Sequence, residues 1–194
     1  MQQRAKETRR AIIEGAALVF DEKGYGNASL SDITARAKVT RGALYFHFLS
    51  KEELALAVIA EQHLRVRILA EELAGAGEPA LEMIIGMCRL FGRQLLDDSV
   101  VRAGIRLTFE ASAFDGDVAA PYVDWITTME ALLRQAQIEG SVVADVDPAA
   151  FARFLVASFT GVQLVSNVLV SRADIMQRID EMWAFMMKAI APPA

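Results

Sequence analysis

Twelve residues, TRGALYFHFLSK from Thr40 to Lys51, gather the side chains with the most evident chemistry in this 194-residue chain. The Arg41 guanidinium suits a bidentate contact to guanine O6 and N7 or a phosphate clamp. Gly42 and Ala43 are small enough for backbone to approach base edges and thymine methyl groups. Tyr45 and His47 can donate to phosphate oxygens, and Lys51, opening a helix, adds charge where backbone amides already favour an anion. Phe46 is expected to pack, with contact to a base methyl group as the lesser alternative. Leu44 and Phe48, four residues apart, face a core with Ile33, Ala37 and Val39, leaving Thr40, Arg41, Ala43, Tyr45 and His47 to look outward. A core stripe alone has no use for Arg41, Tyr45 and His47 on one side of a two-turn helix.

The charge distribution points the same way. Residues 1–51 hold nine Lys and Arg against five acids, a balance of +4, whereas the other 11 basic and 20 acidic residues leave −9. A basic N-terminal third on an acidic body is a footprint for a polyanion such as double-stranded DNA. Enzyme chemistry finds no comparable support: there is no nucleophile motif, phosphate loop or carboxylate pair. Cys88 is the only cysteine and His47 and His63 the only histidines, so no metal or cofactor is expected, and Cys88, inside the apolar run IIGMCRLFG, is expected to be an inert core thiol. No secretory signal follows MQQRAKETRR, and polar residues interrupt the most apolar stretch, 154–170, so no membrane association and a cytoplasmic location are expected.

These residues need helices to position them, and the pattern is helical throughout. The spacing of Ile12, Ala16 and Phe20 predicts a first helix from Lys6 to Lys23, ended by Gly24, with Gly15 marking a close packing contact. Ser29 and Asp32 form a capping pattern for a short helix ending near Lys38; Thr40 caps the next, and Ser50 with Glu53 opens a long helix from Lys51 to Ala74. Further helices are expected over Ala80–Leu96, Val100–Ala111, Tyr122–Glu139, Pro148–Val170 and Asp174–Ile190, with Asp147 before Pro148 as a strong start signal. Two short helices joined at KVT make a helix-turn-helix whose second member enters the major groove.

The stretch AIIEGAALVFDEKGYGNASLSDITARAKVTRGALYFHFLSKEELA closely resembles the DNA-binding domain of the TetR family of bacterial transcriptional repressors. That resemblance implies an all-α homodimer: residues 1–50 form a three-helix DNA-binding domain, and residues 51–194 form a helical ligand-binding and dimerisation domain, with 51–74 connecting them. It implies DNA contacts at Thr40, Arg41, Gly42, Tyr45, His47 and Lys51, and release of DNA when an effector binds.

Three segments, TRGALYFHFLSKEELA, VVRAGIRLTFEAS and PYVDWITTMEALLRQAQ, look like the γ-butyrolactone receptors of antibiotic-producing actinomycetes, in which a Trp matching Trp125 lies at the pocket. Arg41 differs from the Lys more usual there. A multidrug or antibiotic-intermediate sensor of the same fold is the alternative, and butenolides and furans are related effectors. In the residues themselves, Met83, Met87, Leu90 and Phe91 make one adaptable face, Phe109, Phe114 and Trp125 add aromatics, and Gln62, Thr160 and Gln163 are polar handles, together suiting a small apolar effector. The last two helices are apolar on more than one face, which predicts burial against the same helices of a second subunit.

Overall fold

The computed structural model describes residues 2–74, 77–113 and 118–193, all of whose regular elements are helical; Phe114 lies outside the described residues. In chain order the helices among the described residues are α1 (Gln2–Asn27), α2 (Leu30–Ala37), α3 (Arg41–His47), α4 (Lys51–Ala74), α5 (Ala80–Asp97), α6 (Ser99–Phe109), α7 (Ala120–Ile138), α8 (Pro148–Val170) and α9 (Ile175–Ile190), with a 3-10 turn at Ala111–Ala113.

Where the elements differ from the sequence expectation, local hydrogen bonding explains it. Helix α1 begins at Gln2, and Gly24 interrupts it (φ 74°, ψ 173°) before a last turn to Asn27. Helix α6 begins one residue early because Asp98 caps it, accepting from the amides of Val100 and Val101. The expected caps are in place: Ser29 and Asp32 exchange bonds at the start of α2, Thr40 accepts from the Ala43 amide, and Asp147 accepts from the Ala149 amide beside Pro148.

Packing groups the chain into two compact units, Met1–Arg67 with Asp97–Val118, and Ile68–Leu96 with Ala119–Ala194. The packing boundary therefore falls inside α4 rather than at residue 50. In the first unit, Ile12, Ala16 and Phe20 of α1, Ile33 of α2, Leu44 and Phe48 around α3, Leu54 and Val58 of α4, and Val100, Ala103 and Leu107 of α6 share one core. Gly15 is the close contact its position suggested: a Cβ there would lie 2.7 Å from Ala37 Cβ and 2.8 Å from the Ala37 backbone nitrogen. Arg65 of α4 ties the same unit together, bonding Glu61 at 3.1 Å and both oxygens of Asp98, at 3.1 and 2.9 Å.

In the second unit α8 packs on α7 and α9. Its buried stripe is Ala152, Leu155, Phe159, Gln163 and Ser166, and Ser166 donates to Asp174 (2.6 Å) across the turn into α9. Helix α5 meets α9 where Gly92 leaves no room for a Cβ beside Ile179, and Arg89 bonds Asp180 at 2.9 Å. Cys88 is buried, and that burial pushes its thiol up to about 12, consistent with an inert core residue. The reading of 154–170 needs a correction. By length and composition α8 is apolar enough to cross a membrane, because its polar residues are few and mild. It packs against α7 and α9 along one face, while Phe154, Leu164, Val165, Val168 and Leu169 stay exposed.

Two predictions follow from this packing. Gly15→Ala gains about 1 kcal/mol of helix propensity but drives a methyl into Ala37 backbone, which cannot rotate away; we expect a net loss of about 1–3 kcal/mol and a lower Tm, and an unchanged or higher Tm contradicts this. The second concerns acid. The Ser166 hydroxyl holds the Asp174 carboxyl below the usual range, and Ser29 and Lys23 do the same for Asp32. A lowered folded pKa gives stability that is present above the unfolded value, about 3.9, and is lost as pH falls through the folded value. Ser166→Ala should therefore cost more stability at pH 7 than at pH 3 in thermal melts, and equal losses at both would contradict the linkage.

Candidate nucleic-acid interface and ligand site

The surface of α3 is built by what its two neighbours bury. Lys38 ends α2 in the left-handed conformation (φ 54°), and Thr40 restarts the helix after a one-residue gap, so α2 and α3 are held at a fixed turn. Leu44 and Phe48 are buried with Ile33, while Ala37 and Val39 are half-buried at the seam. Thr40, Arg41, Gly42 and Tyr45 are exposed, and Ala43 and His47 half-buried. The Arg41 guanidinium lies 5.6 Å from the centroid of the Tyr45 ring and donates to its hydroxyl at 3.4 Å, with no carboxylate partner among the described residues. Gly42 has no internal reason to be glycine: a Cβ there would meet only Thr40 Oγ1, at 4.0 Å. A helical glycine that costs about 1 kcal/mol and relieves no contact within the chain is suited to close approach from outside.

Phe46 does not pack, contrary to the expectation from sequence. It is 80% exposed, edge-on to His47 at 5.0 Å, because Leu44 and Phe48 on either side of it take the inward positions. Lys51 is also placed differently. Its ammonium donates to the carbonyls of Tyr25 (2.8 Å) and Ala28 (3.1 Å) and sits 4.3 Å from the Tyr25 ring centroid. Two of its three donors fasten the turn between α1 and α2.

Sequence reasoning missed the other half of that fastening. Glu110, at the end of α6, accepts from the Tyr25 amide at 2.6 Å and from Arg106 Nε at 2.8 Å. Arg106 in turn donates to the Asp21 carbonyl (2.7 Å), and Arg102 to the Asp21 carboxylate (2.7 Å). The signal the sequence carries for this fastening is Gly24, where a side chain would meet Arg106 and Glu110. A 390 Å³ groove between α1 and α2, lined by Val19, Lys23, Asp32, Ala35, Arg36 and Lys38, was likewise unforeseen; the ion pairs Lys23–Asp32 and Arg36–Glu22 make it a structural seam.

The residues expected to hold a ligand divide between the units. In the second, Trp125 of α7 stacks on Phe91 of α5 (5.7 Å, 11°), and Phe91 also meets Phe159 of α8 at 5.3 Å. One turn before Trp125, burial pushes the Tyr122 phenol upward, and Thr160 of α8 opposes that shift in part. Gln163, 4% exposed, lies a turn beyond Phe159, and its Oε1 has no hydrogen-bond partner. Met87 is buried and Met83 half-buried on α5. Gln62 and Phe109 belong to the first unit. Gln62 is buried against Gly104 of α6, and Phe109 is 45% exposed.

A two-helix reader with an open cationic face, attached to an all-helical body, defines a helix-turn-helix DNA-binding regulator. Residues 12–58 match the profile of the bacterial regulatory proteins of the tetR family, and residues 78–192 that of the tetracyclin repressor-like C-terminal domain. The chain belongs to the TetR family of transcriptional regulators and is not an enzyme. It is 42% identical over 192 residues to the A-factor receptor protein of Streptomyces griseus, covering 99% of this chain and 67% of that one. A solved γ-butyrolactone receptor described as ArpA-like superposes with a TM-score of 0.83 at 35% identity, covering 97% of this chain and 90% of that one. The protein CprB of Streptomyces coelicolor, solved with its biological operator sequence, superposes at 0.85 with 34% identity, covering 97% and 91%.

Salt dependence separates the two cations of this surface. Arg41→Ala should either lower the slope of log K against log salt by about 1, as a phosphate contact does, or relax preference at one base pair by about 1–3 kcal/mol. Lys51→Met should weaken operator binding and lower the Tm with the slope unchanged, because its donors hold the turn. A slope change of about 1 for Lys51→Met would contradict that assignment.

Proposed function

We propose that the protein is a dimeric repressor that binds a palindromic operator through α3 of each subunit and releases it when a small apolar molecule, γ-butyrolactone-like in ring chemistry, binds in the second unit. The observation that carries the DNA half is the face of Arg41, Gly42, Tyr45 and Phe46, exposed together and unused by internal packing. Thr40, Ala43 and His47 flank it. For the effector, the supporting observation is the stacked pair Trp125 and Phe91 with the Phe159 ring against it, an apolar group with few polar neighbours, in a chain similar to proteins described as γ-butyrolactone receptors. Met83, Met87, Phe159 and Gln163 complete the site in this reading.

Dimerisation follows from α8 and α9. Phe154, Leu164, Val165, Val168 and Leu169, together with Phe185 of α9, are exposed in one subunit, and a two-fold pairing of these helices would remove them from water. Two α3 helices related by that axis match an operator whose half-sites lie one or more helical turns apart. Release is then a two-state shift: the effector favours a conformation in which the two α3 helices are wrongly spaced for successive major grooves. Moving such an equilibrium from 1:99 to 99:1 needs a preference of about 10⁴ for that state. The protein acts in the cytoplasm in this account.

A gel shift on duplex DNA from upstream of the protein's own gene, followed by titration with a synthetic γ-butyrolactone, tests both halves. Specific binding at least ~10³-fold above non-specific DNA, released by the lactone, is the expected result. Binding that survives lactone saturation contradicts the ligand class and points to a multidrug or antibiotic-intermediate sensor; no specific binding contradicts the repressor itself. Trp125→Ala should retain operator binding while requiring at least tenfold more lactone for release.

A further inference from the structure

Helix α1 starts well before the core it serves. Its first buried residue is Ile12, so residues 2–11, about 15 Å of helix, stand clear of that core, and they precede residues 12–58, which match the family profile. These turns carry four cations, Arg4, Lys6, Arg9 and Arg10, against one acid, Glu7. Gln2, Lys6, Arg9 and Ile13 follow one another at steps of four, three and four residues. The stripe that is buried at Ile13 therefore continues outward as Arg9, Lys6 and Gln2, all three exposed. It lies on the side of α1 that meets α3: the Arg9 guanidinium is 5.1 Å from the centroid of the Phe48 ring, at the C-terminal end of α3. Neither Lys6 nor Arg9 has a carboxylate partner among the described residues, whereas Arg10 is paired with Glu14 at 2.8 Å. Like charges a turn apart destabilise a helix, and these turns have no core contact to offset that.

We propose that Lys6 and Arg9 form a second DNA-contacting surface, gripping backbone phosphates beside the bases that α3 reads. The inference rests on the reading of α3 as the DNA reader. The stripe is continuous with that surface through the Arg9–Phe48 contact, and its charge is complementary to the duplex. A polyanion laid against it removes the repulsion between the two cations and gives the projecting turns a partner. Phosphate contacts carry no sequence information, so the stripe adds affinity and salt dependence to every duplex alike and fixes how α3 enters its groove. Arg4 supplies the control: it has the same charge but lies about 140° around the helix from Arg9.

The test titrates the full-length protein into duplex DNA from upstream of its own gene, and into an unrelated duplex of the same length, by fluorescence anisotropy at salt concentrations from about 0.05 to 0.2 M. Lys6→Gln should lower the slope of log K against log salt by about 1 per subunit, and the Lys6→Gln/Arg9→Gln double variant by about 2, on both duplexes. The ratio of the two affinities should stay within about threefold of the unaltered protein's. Arg4→Gln should leave the slope unchanged. Lys6 makes no hydrogen bond or ion pair among the described residues, so Lys6→Gln should keep its Tm and remains decisive even if losing the Phe48 contact unfolds the double variant. An unchanged slope for Lys6→Gln, an equal fall for Arg4→Gln, or a loss confined to the upstream duplex overturns the proposal and leaves α3 as the reader. Failure of the unaltered protein to bind the upstream duplex specifically overturns the reading of α3, and this inference with it.

Discussion

The backbone of Tyr25 is held on both sides, through the peptide group before it and the one after it. Its N–H points at Glu110 of α6 and its carbonyl at Lys51, the first residue of α4. The grip depends on Gly24. At φ +74° the backbone leaves the helix in a region that disfavours side chains, and a Cβ there would sit 2.6 Å from Arg106 Nη2 and 2.8 Å from Glu110 Oε1. Only glycine lets both groups come close enough to bond the turn. Everything that follows in the chain, the capped helix α2 and the exposed helix α3, is placed by the direction in which this turn leaves α1.

That arrangement explains why the first compact unit reaches past the helix-turn-helix. Helix α6 contributes Val100, Ala103 and Leu107 to the shared core, and at its end Arg106 and Glu110 reach the turn. Helix α4 contributes Leu54 and Val58 and continues in the chain into the second unit, whose residues begin at Ile68. A small shift of either helix must break a short charged hydrogen bond or carry the turn with it. Bonds of this kind favour discrete arrangements over gradual deformation, which is what a repressor with a bound and a released state requires.

Much of this was legible in the sequence, and the reasons differ by element. Apolar spacing in α1 and the caps Ser29, Thr40 and Asp147 act locally, so periodicity and residue type located the helices to within a few positions. The role of Gly15 was readable because a glycine inside a helix demands a reason. Phe46 was misjudged because an aromatic in a short amphipathic helix suits a core as well as a surface, and only the registers of Leu44 and Phe48 decide between them. Lys51 was assigned to DNA on its charge, yet its partners are main-chain carbonyls more than 20 residues away, which leave no mark on composition. Glu110 and Arg106 were invisible for the same reason. Of the expected effector residues, Trp125 of α7 stacks on Phe91 of α5, whereas Gln62 and Phe109 belong to the other unit; helical spacing shows which face a residue takes but not which partner covers it.

The account turns on whether the Tyr25 backbone is the fixed point that α6 and α4 share and that effector binding disturbs. Amide hydrogen exchange at Tyr25, followed by NMR in the free protein and in the protein saturated with the effector that releases DNA, measures this directly. We expect slow exchange in the free protein, with protection comparable to the α1 core amides, and a marked acceleration once effector is bound. Fast exchange in the free protein, or protection unchanged while the operator is fully released, would contradict it.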